Sequence, residues 1–180
     1  MKQCCPSINF LLLLLLSAAS LYTYAVDPDT EKRLNDVAER GVHIMPFDLE
    51  KTVHVFSKTQ HGGVQQVIAN DESDTGQIRQ IREHLLEISV AFGQGDFSYP
   101  EYIHGAGMPG LAALKTAKPG QIRIEYTELP DGAQINYFSP LPRLIEAIHQ
   151  WFDAQLSDHA RHAIPGHNHE HGHDHDMHHD

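Results

Sequence analysis

The chain reads as an α+β domain, an antiparallel sheet of about four strands with helices packed on one face. Three observations predict this. Two pairs of alternating apolar and polar segments occur, each joined by turn residues. A segment of helical period follows each pair. Neither strand–turn–strand–helix unit can bury its apolar face alone, so one shared sheet is the economical solution.

Residues 29–40 are polar, with Leu34 and Val37 at helical spacing, and predict a short opening helix. The run Gly41-Val42-His43-Ile44-Met45-Pro46-Phe47 is expected to break it. Residues 52–58, Thr-Val-His-Val-Phe-Ser-Lys, have strand composition. His61-Gly62-Gly63 supplies a turn and residues 64–69 a second strand, which together make a hairpin. Asp74 followed by Gln77 has capping-box spacing, and Ile78, Ile81, Leu85, Ile88 and Phe92 then fall on one helical face. Gly93-Gln94-Gly95 ends that helix. Residues 96–110 read as loop, and Leu111-Ala112-Ala113-Leu114 as a helical turn or two. Residues 121–126 alternate cleanly, Pro130-Asp131-Gly132 is a turn, and residues 133–138 form the partner strand. Ser139 is expected to cap a last helix with Pro140 in its first turn. Leu144, Ile145, Ile148, Trp151, Phe152 and Leu156 give that helix its buried side.

The two ends differ in composition from this body. Residues 1–25 carry Lys2, an apolar run from Leu11 to Leu16, and small side chains at Thr23 and Ala25, the pattern of a secretory signal peptide. The expected organisation is a signal peptide at 1–25, one domain at 26–163 and a disordered tail at 164–180. Export places the protein in the periplasm or outside the cell, with no stable membrane insertion after cleavage. Cys4 and Cys5 both lie in the leader, so the mature chain is expected to form neither a disulfide nor a thiolate metal site. Removing Lys2 with the leader raises the acidic excess over Lys and Arg from eleven to twelve. With no basic cluster, the chain is not expected to bind nucleic acid, whereas cations suit its surface.

Seven of the last fourteen residues are histidine: His167, His169, His171, His173, His175, His178 and His179. Imidazole nitrogens bind Zn, Cu and Ni ions, and interleaved carboxylates support them. Alternating spacing in a flexible chain predicts several ions, each held with modest affinity. Capture should weaken below about pH 6, because ligand imidazoles must be neutral.

Three stretches of the body are candidates for a more ordered site. In Glu101-Tyr102-Ile103-His104-Gly105-Ala106-Gly107-Met108-Pro109-Gly110, the imidazole of His104 and the thioether of Met108 stand four residues apart in a glycine-rich loop, a donor pair suited to copper. If the last helix continues, His159 and His162 lie on one side of it, with Asp158 placed to orient one of them. His54, His84 and His149 are scattered, the latter two at the edges of their apolar stripes, where a residue can line a cleft. Asp48, Asp96 and Glu101 are further acids, without a spacing that selects a pair.

The stretches "MPFDLEKTVHVF", "GGVQQVIA", "IREHL", "GDFSYPEYIHGAGMPGL", "IEYTELPDGAQINY" and "IHQWFDAQLSDHARHA" together resemble a group of small bacterial proteins labelled aspartate carbamoyltransferase. The resemblance runs from about Met45 to Ala163 and implies no mechanism. Carbamoyltransferases themselves have a Ser-Thr-Arg-Thr-Arg loop that grips carbamoyl phosphate and two α/β domains, and neither stands in this sequence. That activity is therefore not carried over. Nucleophile-elbow, P-loop, dinucleotide and His-Glu-x-x-His motifs are also missing.

The leading expectation is an exported protein that sequesters, buffers or delivers a transition-metal ion, with Zn, Cu and Ni open. His104, Met108, His159 and His162 are the candidates in the body, and the seven histidines are those of the tail. Two other readings stand beside it. One is a periplasmic enzyme using His84 or His104 as general base, with or without a metal. The other is a ligand- or partner-binding module whose histidines sense acidity.

Overall fold

Alternation in the sequence becomes register in the sheet. In the computed structural model, which describes residues 27–159 and 161–166, β1 (Thr52–Thr59) pairs antiparallel with β2 (Gly62–Ala69), and β3 (Arg123–Leu129) with β4 (Gly132–Phe138). An antiparallel β2–β4 pair joins the two hairpins, with Gln65 opposite Ile135 and Val67 opposite Ala133. A fifth strand, β5 (Ala163–Pro165), lies parallel to β1, so the order is β3-β4-β2-β1-β5. The expected boundary of the domain at 163 therefore moves outward, because residues 163–165 are sheet and Gly166 N–H still donates to Phe56 O at 2.9 Å. The signal peptide and the seven tail histidines lie outside the described residues.

The helices are α1 (Pro28–Ile44), α2 (Thr75–Gly93), α3 (Ser98–His104), α4 (Leu111–Lys115) and α5 (Pro142–Asp158). The domain is α+β, with α2 and α5 covering the sheet face that presents His54, Phe56, Gln65, Val67, Ala133, Ile135 and Tyr137. The alternate residues Val53, Val55, Gln66 and Ile68 are only half-buried, as one-sided packing requires. On α5, Leu144, Ile148, Trp151 and Phe152 are almost wholly buried, and each such side chain contributes about 1.5–3 kcal/mol of apolar transfer free energy. Among the described residues, no helix is long and apolar enough to cross a membrane.

Several local expectations are corrected. The opening helix runs on through Gly41-Val42-His43-Ile44 and stops only before Pro46, since one glycine weakens a helix without ending it. The stretch expected to be loop contains α3, where the Asp96 carboxylate accepts from Ser98 N–H at 2.9 Å. Asp74 does cap α2, accepting from Gln77 N–H at 3.1 Å, but no capping box closes. The Gln77 amide instead bonds the Asp48 backbone in both directions, at 3.0 and 3.2 Å. The proline that opens the last helix is Pro142, not Pro140. Ser139 donates to Gln121 O at 2.7 Å and accepts from Leu141 N–H at 3.1 Å, pinning the β4–α5 connection instead of capping the helix.

Gly110 shows what holds α4 against α5. Its φ is +76°, and a Cβ there would overlap the Ala147 carbonyl oxygen. Gly110→Ala is expected to destabilise the protein by about 2–4 kcal/mol, because strain and a backbone clash act together. Urea denaturation checks this, and a loss below about 0.5 kcal/mol would contradict the close approach.

Candidate functional site

Five elements and one helix-end segment send side chains into one small cavity. β1 contributes His54, β2 Gln65, α2 His84, α3 His104, and the C-terminal half of α5 Trp151, Gln155 and, just past its end, His159. Met45, which follows α1, lies on the rim with them. The cavity volume is about 40 Å³, room for a water molecule or an ion and not for an organic substrate. A larger cleft of about 290 Å³ lies at the C-terminal end of α2, but its lining holds no imidazole or carboxylate.

Helix ends and strand pleat place these rings. Position 54 faces inward because Thr52, His54 and Phe56 share one side of β1. His104 is the last residue of α3, and Gly105 at φ +86° turns the chain away after it. α5 stops at Asp158, so His159 leaves helical geometry and packs inward, with only 8% of its surface exposed. The His54 and His159 rings stack at 5.6 Å between centroids, and His104 meets His159 edge-on at 4.9 Å. His84 stands against Phe47 at 5.7 Å and Tyr99 at 6.3 Å.

An ionic relay fixes one of the four rings. Asp158 is buried and accepts two hydrogen bonds from Arg33 Nη2, at 2.8 and 2.7 Å, and one from His104 Nδ1 at 2.8 Å. A carboxylate accepts only, so Nδ1 carries the proton, and in the neutral ring Nε2 holds the lone pair. Burial alone would raise the Asp158 carboxyl. The hydrogen bond from His104, then the charges of His104 and Arg33 and the Arg33 hydrogen bond, outweigh it and hold the group below its ordinary value.

The other rings are kept neutral. Burial, reinforced by the charge that neighbouring histidines would carry, pushes His54 down to about 4, and the His162 backbone carbonyl near the ring offsets only part of this. Burial drives His159 well below 6.5, with His54 and His104 adding to it and Asp158 opposing. His84 is lowered by burial, with Glu87 opposing. Two buried polar atoms on this cavity, His54 Nδ1 and Trp151 Nε1, have no hydrogen-bond partner among the described residues. Such orphans are rare in folded proteins.

The structure brings together only part of the set expected from sequence. His104 and His159 meet at the cavity, joined by His54 and His84. Met108 does not, because its side chain is 3% exposed within the hydrophobic core. His162 does not either. With the helix ended at Asp158, its ring turns outward to Glu50 at 2.9 Å. Asp158 orients His104 rather than a neighbour in sequence. His149 Nε2 donates to Thr59 O and Gly62 O at 3.0 and 2.9 Å, stapling the β1–β2 turn. Asp48 and Asp96 cap local turns, and Glu101 pairs with Lys115 at 2.6 Å. Sequence reasoning missed Met45, Arg33, Trp151, Gln65 and Gln155. Met45 had a visible signal, a methionine directly before Pro46 where the helix must stop.

No family model, no curated protein and no solved structure matches the chain.

Proposed function

We propose that the protein is an exported binder of transition-metal ions that sequesters, buffers or delivers Zn, Cu or Ni, with the histidine cavity as its site in the body and the tail as an outer collector. One observation carries the reading: four imidazoles from four different elements line a single small, partly open cavity that has room for little more than an ion. Neutral imidazole is the form a metal needs, and burial enforces it at His54, His84 and His159. The His104–Asp158 pair is the carboxylate–imidazole arrangement that raises the basicity of a ligating ring. Among the described residues, no three His, Cys, Asp or Glu side chains already form a finished cage. Capture therefore requires the rings to rotate. The centroid separations of 4.9 and 5.6 Å suit that, since two imidazoles sharing one ion at 2.0–2.1 Å stand about 5 Å apart.

The same His104–Asp158 geometry favours a second reading, an enzyme with His104 Nε2 as general base. The cavity volume weighs against it, because an organic substrate would need the site to open.

The test is an equilibrium titration of the full chain with Zn, Cu and Ni at pH 7.5. A second chain carries asparagine at all seven tail histidines, and a third adds His54→Phe and His159→Phe. The full chain is expected to bind several ions, the tail-substituted chain about one, and the third none. No binding by the full chain would end the proposal.

A further inference from the structure

We propose that the histidine cavity takes copper as Cu(I), with the Met45 thioether ligating the ion beside the imidazoles of His54, His104 and His159. This rests on the metal-binding reading and adds the identity of the ion, its oxidation state and a sulfur ligand.

Position comes first. α1 ends at Ile44, Met45 is extended with its N–H held by Gly41 O at 2.8 Å, and Phe47 two residues on is buried at 5% exposure. The segment that carries the thioether is thus tied on both sides. Its side chain lines the same cavity as the imidazoles. Arg40 Nε donates to Ile103 O at 2.7 Å, and Arg33 grips Asp158, so α1 is fastened to the two elements that carry His104 and His159.

Charge selects the ion. Among the described residues no carboxylate lines the cavity: Asp158 stands behind His104 and is committed to it and to Arg33, and Glu87 stands behind Tyr99, whose hydroxyl it accepts. The donors that line it are imidazole nitrogens, one thioether, the amide oxygens of Gln65 and Gln155 and the Tyr99 hydroxyl, and none is anionic. The Born cost of burying an ion rises as the square of its charge, so a dication costs about four times as much as a monocation here. Zn and Ni enter as dications, whereas reduced copper carries a single charge. Softness points the same way: a thioether is a poor ligand for hard ions and a selective one for Cu(I). The cavity is also too small to keep an ion's shell of water, which suits an ion of low coordination number. His54 Nδ1, buried at a residue 3% exposed and without a partner, is the lone pair this ion would use.

The experiment uses the full chain and Cu(I) supplied under anaerobic reducing conditions. In every sample Cys4 and Cys5 are replaced by serine, Met177 by leucine and the seven tail histidines by asparagine, so that neither the thiols of the leader nor the sulfur and imidazoles of the tail compete. At one equivalent, the emission of Trp151, the single tryptophan and a cavity residue, is expected to change. X-ray absorption is expected to show one sulfur in the copper shell. In the Met45→Leu chain that sulfur disappears and Cu(I) affinity falls about tenfold or more, while Zn affinity is unchanged. Leucine conserves volume, so the fold should survive. The absorption spectrum of the chain with Met45 intact is decisive even without that variant. Copper bound with nitrogen alone, a sulfur that persists in Met45→Leu, or binding that leaves Trp151 silent would each overturn the copper assignment and leave metal binding standing. Failure of the full chain to bind any ion would remove both.

Discussion

Asp158→Ala is expected to lower the unfolding free energy by about 3 kcal/mol at neutral pH, the lower end of the range for breaking a buried ion pair. The carboxylate sits at the C-terminal end of α5, where the helix dipole disfavours negative charge. It is tolerated there because three hydrogen bonds from Arg33 and His104 surround it. Arg33 is about half exposed and can return to water when its partner goes. His104 cannot: its side chain is 1% exposed, and alanine leaves Nδ1–H without an acceptor. That orphaned donor costs about 1–3 kcal/mol, and loss of the pairing supplies the rest. Denaturant unfolding with a chelator present measures the total. Arg33→Met should cost distinctly less than Asp158→Ala, because it leaves the His104–Asp158 bond in place. Equal losses in the two variants, or a loss under about 1 kcal/mol in Asp158→Ala, would show that the relay does not tie α1 to the helix ends.

How much of this was legible beforehand depended on range in sequence. Alternation at 52–58 and 133–138 and the Ile78–Phe92 stripe are local signals, and the elements they predict are present. The three residues of β5 carry no period to read, and their strand character comes from pairing with β1 alone. Helix α3 was hidden because seven residues between glycine-rich flanks resemble a connector. At the site, His104 and His159 could be named from sequence, yet their partners could not. Arg33 and Asp158 stand 125 positions apart, and a search at helical spacing finds only neighbours within a turn. The expected pairing of Met108 with His104 at one site is not what the fold assembles, for the same reason. Four residues of sequence placed it beside His104, whereas tertiary packing turned it into the core and brought Met45 from the end of α1 instead. Buried histidines leave no trace in a composition, because the fall of His54 to about 4 belongs to its surroundings and not to the residue.

That fall has a consequence in acid that can be worked through in sign. Above about pH 6.5 the His54 ring is neutral in both the folded and the unfolded chain and contributes nothing to pH dependence. Between about 6.5 and 4 the unfolded ring takes a proton and the folded one does not, so stability falls as pH falls. At about 1.4 kcal/mol per pH unit, the full loss from His54 alone is about 3 kcal/mol, and His159 and His84 act in the same direction. Asp158 works in a separate window. Its carboxyl is held below 3.8, so its contribution is complete above that pH and disappears only as acidity passes the folded value. His54→Phe isolates the first effect, since phenylalanine keeps a ring between Phe56 and His159 but has nothing to titrate. At pH 7.5, with metal removed, it should change stability by less than about 1.5 kcal/mol, because the loss of shape is small and the orphaned Nδ1 goes with it. At pH 4.5 the variant should be the more stable protein by about 2 kcal/mol. Two urea-derived stability curves that run parallel from pH 7.5 to 4.5 would mean the ring is not held neutral. A crossing between those pH values would mean that the burial which keeps His54 available to a metal also makes the protein acid-labile.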